Sequence, residues 1–368
     1  MHTVRGLLYC ALLIGLKPVT RAQGPTVTAV PGAIQLVEDQ RAENAFEGVA
    51  VGFSVVDDTT WDYGAGWADR SSRIAFAPDT RTRIASITKP MTAIAIMQLA
   101  EQGRLHLDSA VRVYVPEFPE KPEGRLTVRQ LLQHSAGLDD YASNKERENR
   151  NHFTSLTEAM GIFMDRELIS APGAAFHYTT YGYVLLGVVV ERVSGMSYEA
   201  YMQRHIWSPA SMLDTGVEGR DTSGTKHAEL YHTNGKGRVL SADHTDLSDR
   251  IPGGGVYSTA ADMLRFGDAL LRGTLLEPKT LAAMWIDPAL KKDGNGYGMG
   301  WYLYGQNPKY GPVYGHNGAQ TGASTFLMLL PEQKTSIIVL SNTSGAMQAV
   351  SAIAVGLFDH AAAAAAFH

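Results

Sequence analysis

The chain has 368 residues, of which 45% are hydrophobic and 19% charged, and a formal net charge of −5 at pH 7. This length and composition allow a sizeable apolar core in one large domain or two interleaved lobes. No run of lysine and arginine stands out, so neither nucleic-acid binding nor a basic membrane-binding patch has electrostatic support.

The first 22 residues have the composition of a secretory signal peptide. Residues 1–5 carry positive charge, residues 6–16 form an apolar run, and Thr20 and Ala22 offer small side chains for cleavage. Lys17 ends the apolar run well short of the roughly 20 residues that a transmembrane helix needs. We therefore predict an exported protein, periplasmic or secreted, whose mature form has no membrane anchor.

The single cysteine, Cys10, lies inside that apolar run. If cleavage follows Ala22, the mature chain of residues 23–368 has no disulfide framework, thiolate nucleophile or cysteine-ligated zinc. The sequence also contains no H-E-x-x-H, G-x-S-x-G, G-x-G-x-x-G or Walker-type motif. These absences argue against a zinc protease, an α/β-hydrolase and a nucleotide-binding protein. No cofactor and no metal are expected.

The first predicted elements are a β-hairpin and a helix. Residues 46–56 and 60–67 are apolar and β-branched runs on either side of an Asp-Asp turn at 57–58, which predicts two paired strands. Residues 87–102 have apolar side chains at three- and four-residue spacings. That pattern predicts a strongly amphipathic helix, ended by Gly103.

Helical patterns continue through the middle of the chain, and strand patterns return towards its end. Further helices are predicted at residues 127–134, 156–165, 181–193, 197–206 and 260–271, with a long irregular segment at 214–250. Strands are predicted at residues 299–304, 313–318, 324–330 and 336–342, with a hairpin turn at 331–334.

Strands at both ends and helices between them predict a mixed α/β fold of the α+β type. We expect an antiparallel sheet formed by both termini, flanked by helices, with an inserted and mainly helical lobe. The α/β lobe is placed at about residues 23–100 and 250–360, and the helical lobe at about 100–250, within a single domain. A groove between the lobes is the expected place for a site.

Two S-x-x-K matches occur, at residues 86–89 and 223–226. Residues three apart face each other only on a helix. Ser223 lies in a stretch rich in glycine, threonine and aspartate without apolar periodicity, whereas Ser86 opens the predicted helix, with Pro90 in its first turn. The helical context therefore selects the first pair.

A serine hydroxyl is a weak nucleophile and needs a base within hydrogen-bond reach. Lys89 can be that base if its surroundings lower its pKa towards neutrality. Backbone N–H groups at the helix start would also stabilise a developing oxyanion beside Ser86. The alternative is that Ser86 is an N-cap and Lys89 a solvated surface residue.

Two later segments add to this pair. Tyr178 precedes an apolar helix and could relay a proton if a nearby ammonium depressed its pKa. Residues 314–319 are predicted to form an edge strand with glycines that let a substrate approach the backbone. The N–H of Ala319 could then complete an oxyanion hole with that of Ser86.

The order S-x-x-K, then Tyr178-x-Thr180, then H-x-G at residues 316–318 resembles the serine β-lactamase and penicillin-binding-protein superfamily, most of all its class C-like branch. Residues 131–138 and 253–262 resemble further conserved segments of that branch. The histidine and threonine variants also resemble esterases and peptidases of this fold and the mitochondrial serine β-lactamase-like proteins, and residues 116–121 and 178–183 look particularly like the last group.

The resemblance implies that Ser86 is the nucleophile of an acyl-enzyme and that Lys89 and Tyr178 share the general base and acid roles. It implies an oxyanion hole formed by the N–H groups of Ser86 and Ala319. The residues that it implies to contact the substrate are His316, Asn317, Gly318 and Thr180.

Two departures from the superfamily pattern bear on the substrate. Thr180 stands where the motif has asparagine, and His316 stands where many relatives have lysine. A histidine attracts a substrate carboxylate weakly and in a pH-dependent way, because its usual pKa is about 6.5. Both changes favour small carboxylic esters or peptides over β-lactams. The alternatives are a class C-like β-lactamase, a D-Ala-D-Ala carboxypeptidase, or a peptide-binding sensor that turns over slowly.

Overall fold

The computed structural model describes residues 30–219, 226–234, 236–292 and 294–365. The predicted signal peptide, residues 1–22, and Ser223 of the second S-x-x-K motif lie outside this part of the chain.

The strands and helices of the described chain are numbered in chain order. The strands are β1 Gly48–Val55, β2 Thr59–Asp69, β3 Ile74–Ala75, β4 Thr82–Arg83, β5 Gly216–Val217, β6 Tyr231–Thr233, β7 Val239–Ser241, β8 Val256–Ser258, β9 Gly296–Tyr297, β10 Tyr302–Asn307, β11 Gly311–Gln320, β12 Ala323–Leu330, β13 Thr335–Ser341 and β14 Thr343–Ser344. The helices are α1 Pro31–Glu43, α2 Thr88–Glu101, α3 Val128–Leu132, α4 Asn144–Arg147, α5 Leu156–Met160, α6 Thr180–Ser194, α7 Tyr198–Met202, α8 Ile251–Gly254, α9 Ala260–Leu271, α10 Pro278–Met284 and α11 Met347–Ala365.

An eight-stranded sheet organises the fold, in the order β3-β2-β1-β13-β12-β11-β10-β9, and all its neighbours pair antiparallel. The two ends of the chain meet where β1 pairs with β13, in the register Val51 opposite Val339. The predicted fold class, an antiparallel sheet formed by both termini and flanked by helices, is confirmed.

Both faces of the sheet are covered, because successive side chains of a strand point to opposite sides. Val339 of β13 packs in one apolar cluster with Val37 of α1 and Val350 of α11. Its neighbour Leu340 packs on the other face, in a second cluster with Leu264 of α9 and residues of α2 and α6. Helices α3 to α7 all lie between residues 128 and 202. The lobe limits near residues 100 and 250 stay a prediction.

Helix α2 differs from the amphipathic helix that its sequence predicted. It is buried on nearly every side, and its buried residues include Lys89, Thr92 and the apolar run 93–97. The reason lies in that unbroken apolar run, which leaves no polar face for solvent. Helices α6 and α8 pack against it. The helix therefore holds its first turn rigidly at the centre of the molecule.

The helices at the two ends of the described chain, α1 and α11, were not predicted. By length and composition, residues 347–364 of α11 would suffice to cross a membrane, with a mean hydropathy of 1.3. Here α11 packs along α1 and the sheet, burying Val350, Ile353 and Leu357. These contacts account for the buried part of α11, which is 39% of that window.

Candidate active site

Ser86 lies in a tight turn, Ala85–Ile87, that leads directly into α2. Ala85 before it has φ +50°, a left-handed conformation that a residue with a Cβ adopts only under constraint. The constraint is visible, because the Thr88 hydroxyl donates to the Ala85 carbonyl at 2.7 Å and the Thr325 hydroxyl donates to the Ile84 carbonyl at 2.9 Å. The turn leaves Ser86 partly exposed between buried neighbours.

Lys89 is fully buried one helical turn after Ser86. Its Nζ lies 3.2 Å from Ser86 Oγ and 2.7 Å from the Gly253 carbonyl oxygen. Burial lowers the pKa of Lys89 to about 7, because an ammonium loses its hydration there. The nearby charge of Asp140 raises this pKa, and that of Arg250 lowers it further. A large fraction of Lys89 is therefore neutral at pH 7 and can accept a proton.

Tyr178 ends the loop before α6 and brings its hydroxyl to the same place. Its side chain interacts with that of Ser86, and its ring lies 4.8 Å from Lys89 Nζ and 4.3 Å from the ring of His134. The condition that a nearby ammonium depresses the pKa of Tyr178 is not met. Burial raises the pKa of Tyr178 well above 10, because a phenolate would lose its hydration among aromatic rings. Tyr178 is therefore a proton donor in the free protein.

His134 holds the Tyr178 loop. It has φ +54° and is buried. Its Nδ1 accepts the Thr179 N–H at 3.2 Å, and its carbonyl accepts the His177 N–H at 2.7 Å. Burial lowers its pKa well below 6.5, so it is a neutral acceptor.

The third predicted segment lies on β11, which is an inner strand and not the expected edge strand. However, β10 ends opposite Gly315, so residues 316–320 pair with β12 alone and are locally an edge. Gly318 lies against the Ser86 turn, since a Cβ there would lie 2.6 Å from the Ile84 carbonyl oxygen. Only a glycine lets the strand pass this close.

His316 lies deeper than the resemblance implied. It is fully buried, with Nε2 3.1 Å from the Tyr297 hydroxyl and Nδ1 2.6 Å from the Asn317 carbonyl oxygen. Burial lowers its pKa to about 3, helped by the charge of Lys89. The sequence left the charge of His316 open. A buried imidazole stays neutral, so His316 offers a substrate carboxylate no pH-dependent attraction near neutrality.

These residues border a groove with a cavity of about 510 Å³. Of the predicted site residues, the groove is lined by Ser86, Tyr178, Thr180 and Ala319, and Lys89 reaches it through Ser86. His316, Asn317 and Gly318 do not line it; His316 and Gly318 are buried, and Asn317 is partly exposed. The structure therefore brings together a serine, a near-neutral lysine, a tyrosine and a strand edge, which is what acyl transfer to a serine requires.

The profile of the Beta-lactamase family matches residues 33–361. The chain belongs to the beta-lactamase family. It is 30% identical to the mitochondrial serine beta-lactamase-like protein LACTB of Homo sapiens, over 83% of this chain and 72% of that protein. The penicillin-binding protein of Bacillus halodurans superposes with a TM-score of 0.77 at 27% identity, covering 90% of this chain and 100% of that one.

A D-stereospecific amidohydrolase from Streptomyces superposes with a TM-score of 0.74 at 25% identity, covering 88% of this chain and 97% of that one. The family resemblance that the motifs indicated is thus confirmed. This beta-lactamase family member is a serine hydrolase.

Sequence reasoning missed one wall of this beta-lactamase groove. Asp140, Tyr141, Arg147, Arg250 and Gln320 all line it. Arg250 forms a two-point ion pair with Asp249, at 2.7 and 3.0 Å, and its guanidinium lies over the Tyr141 ring. The Asp-Asp-Tyr run at residues 139–141 was a visible signal, but no spacing rule connects it to Ser86.

The described residues contain no set of side chains that could act as ligands of a catalytic metal ion. Across residues 30–219, 226–234, 236–292 and 294–365, no three histidine, cysteine, aspartate or glutamate side chains form a group that could hold an ion.

Proposed function

We propose that this chain is an exported serine hydrolase that forms an acyl-enzyme on Ser86 and acts on small carboxylic esters or peptides. One observation carries the proposal. Lys89 Nζ lies 3.2 Å from Ser86 Oγ, inside the protein, where burial brings the lysine pKa to about 7. A base in contact with the nucleophile, with a pKa near the working pH, is what acylation of serine demands.

In the proposed acylation, Ser86 Oγ attacks the carbonyl carbon of the substrate while neutral Lys89 takes the hydroxyl proton. The negative oxygen of the tetrahedral intermediate accepts hydrogen bonds from the N–H groups of Ser86 and Ala319. The intermediate collapses by breaking the bond to the leaving group. The Tyr178 hydroxyl donates the proton that this group needs, and Lys89 returns the serine proton to Tyr178.

Deacylation repeats these roles with water as the nucleophile. Water attacks the acyl carbon and gives a proton to neutral Lys89, and Ser86 leaves with a proton supplied by Tyr178. Lys89 then passes the water proton to Tyr178, the free acid is released, and all three residues regain their starting protonation. Both steps use the same oxyanion contacts.

The substrate class rests on two groups near the nucleophile. Thr180 provides no side-chain amide at the groove, and His316 is buried and neutral where a lysine would be a permanent cation. A β-lactam or a D-Ala-terminated peptide carries a carboxylate that such a cation would bind. This supports esters and uncharged peptide ends. The alternative is hydrolysis of β-lactams or D-Ala termini, and the non-enzymatic alternative is a sensor that acylates once.

A substrate panel tests the proposal. Short-chain p-nitrophenyl esters, nitrocefin, and D- and L-aminoacyl p-nitroanilides are compared at equal concentration, with stopped-flow detection of the first turnover. We expect steady turnover of an ester or anilide with a kcat/KM at least tenfold above that for nitrocefin. A higher value for nitrocefin would overturn the substrate class, and a burst without turnover would show a sensor.

Export is tested separately. The full chain is expressed with its first 22 residues, and the intact mass and N-terminal residue of the extracytoplasmic fraction are determined. A mature protein that begins at Gln23 supports the proposal. Retention of the full-length chain in the cytoplasm would contradict it.

A further inference from the structure

Asp140 lies in the groove beside the proposed catalytic residues and has no place in the motifs that identified them. It lines the groove together with Ser86, Tyr178 and Thr180. Its Oδ1 accepts the backbone N–H of Thr180, the first residue of α6, at 2.9 Å. Thr180 stands where the superfamily motif has an asparagine, so Asp140 brings a polar group to the position that lost one.

A second contact ties the same loop to the same helix start. The Thr179 hydroxyl donates to the Asp139 carbonyl at 2.9 Å and also caps α6 by accepting the Tyr181 N–H at 3.1 Å. Loop 139–140 is therefore fastened to the residues that directly follow Tyr178. A displacement of this loop would move the tyrosine that contacts Ser86.

Asp140 also has an electrostatic contact with Lys89. The charge of Asp140 favours the protonated form of Lys89, and the charge of Lys89 favours the ionised form of Asp140. The carboxylate is half-buried, where such an interaction is weakly screened. Asp140 thus acts on Lys89 through its charge, and on the loop that carries Tyr178 through a hydrogen bond.

We propose that Asp140 is a positioning residue, which holds the Tyr178 loop through the Thr180 N–H and places a negative charge in the groove beside Ser86 and Lys89, in place of the asparagine that this chain lacks. The inference rests on the proposed function of Ser86 and Lys89. It concerns the surroundings that position Ser86 and Lys89 and set the charge of the lysine.

Other groups face Lys89 and Asp140, and their charge states follow from their surroundings. The titratable groups that face Lys89 are His134, His316, Tyr178, Tyr183 and Arg250. The groups that face Asp140 include Arg147, Arg250, Tyr141 and Tyr178. Burial lowers the pKa of both histidines and raises that of the tyrosines, so it favours the neutral form of each of these groups. Arg250 stays charged and is paired with Asp249. Lys89 and Asp140 are therefore the pair of groups whose ionisation the test follows.

The test uses the rate at which a fluorophosphonate acylates Ser86, measured from pH 5.5 to 9. Asp140→Asn keeps an oxygen acceptor for the Thr180 N–H and removes the charge. We expect the limb of the profile that rises with pH to move to lower pH. The ratio of the rate at pH 6 to that at pH 8 should increase about threefold, equal to a shift of about half a pH unit.

Asp140→Ala removes both the charge and the acceptor. We expect the same displacement of the limb, and a rate at pH 8 about tenfold below that of Asp140→Asn, because one hydrogen bond to the Tyr178 loop is lost. Asp139→Asn is the matched control, since Asp139 is exposed and adjacent. It should match the wild type. Circular dichroism and Tm check the fold, and Asp140→Asn still decides the charge if Asp140→Ala does not fold.

An Asp140→Asn profile that coincides with those of the wild type and Asp139→Asn would overturn the inference. A titration of the Lys89 side-chain carbon by NMR, assigned by its loss in Lys89→Met, reads the same shift without any reaction at Ser86. If no variant is labelled at Ser86, the proposed function fails. The midpoint of the Lys89 titration then still decides the role of Asp140. A lower midpoint in Asp140→Asn supports that role, and an unchanged midpoint overturns it.

Discussion

The Nζ of Lys89 donates a hydrogen bond of 2.7 Å to the carbonyl oxygen of Gly253, which belongs to α8 and is 164 residues away in the sequence. A neutral amine has one lone pair, and an N–H directed at Gly253 leaves that lone pair free for the Ser86 proton. Gly253 is thus the residue that orients the proposed base. Thr92, one turn further along α2, donates to the Pro252 carbonyl at 2.6 Å and fastens α8 to the same helix.

This contact predicts a sharp difference between two adjacent glycines. A Cβ at Gly253 would lie 2.6 Å from Thr180 Cγ2, whereas one at Gly254 would meet nothing nearer than 3.5 Å. Gly253→Ala must therefore push α8 from α6 and displace the carbonyl that holds Lys89. We expect kcat to fall at least tenfold and Tm to drop, while Gly254→Ala keeps kcat within about threefold. Equal kcat values for the two variants would show that the Gly253 carbonyl does not orient the lysine.

Lys89→Arg should be nearly as inactive as Lys89→Ala. Arginine keeps the positive charge but does not release its proton, so it cannot act as the base. We expect both variants to lose about a thousandfold in kcat/KM. Lys226→Arg, in the second S-x-x-K motif, is the matched control, because Lys226 is an exposed surface residue. It should retain wild-type activity. An Lys89→Arg enzyme with wild-type kcat would exclude Lys89 as the base.

The pH profile of kcat/KM should have one limb in the accessible range. Burial lowers the pKa of Lys89 to about 7, so the neutral base accumulates as pH rises through 7 and the rate rises with it. Burial raises the pKa of Tyr178 well above 10, so the proton donor is retained and no fall is expected below about pH 9.5. A profile that instead declines between pH 7 and 9 would contradict these assignments.

His316→Lys should destabilise the protein. The side chain is fully enclosed by Tyr297 and its neighbours, and Lys89 lies close enough to repel a second ammonium. An unpaired buried charge costs about 3 kcal/mol or more in the free energy of unfolding, measurable in urea. His316→Gln introduces no charge and should lose much less. Equal stability of His316→Lys and the wild type would show that position 316 opens to the groove.

The hairpins and the helix after Ser86 could be predicted because their signals are local. Apolar and β-branched runs around turn residues indicated the pairs β1–β2 and β12–β13, and the apolar period after Ser86 indicated α2. The distance between Lys89 and Gly253 could not be predicted, because it depends on how α8 packs against α2. The same holds for Asp140, which reaches Thr180 only after folding.

Two ionisation states could not be predicted, and burial is the shared physical reason. A sequence shows that Tyr178 and His316 can ionise, but their pKa values depend on how much water surrounds them. Tyr178 lies among the rings of His134 and Tyr302, and His316 is fully buried. The pKa of the tyrosine therefore rises, and the histidine stays neutral.

The central claim is that Ser86 is the acylated residue. It is tested most directly by reacting the protein with a fluorophosphonate and mapping the adduct by intact mass and peptide sequencing. We expect one adduct, on the peptide that contains Ser86. This adduct should be absent from Ser86→Ala and retained in Ser223→Ala. An adduct on any other residue, or full labelling of a folded Ser86→Ala variant, would contradict it.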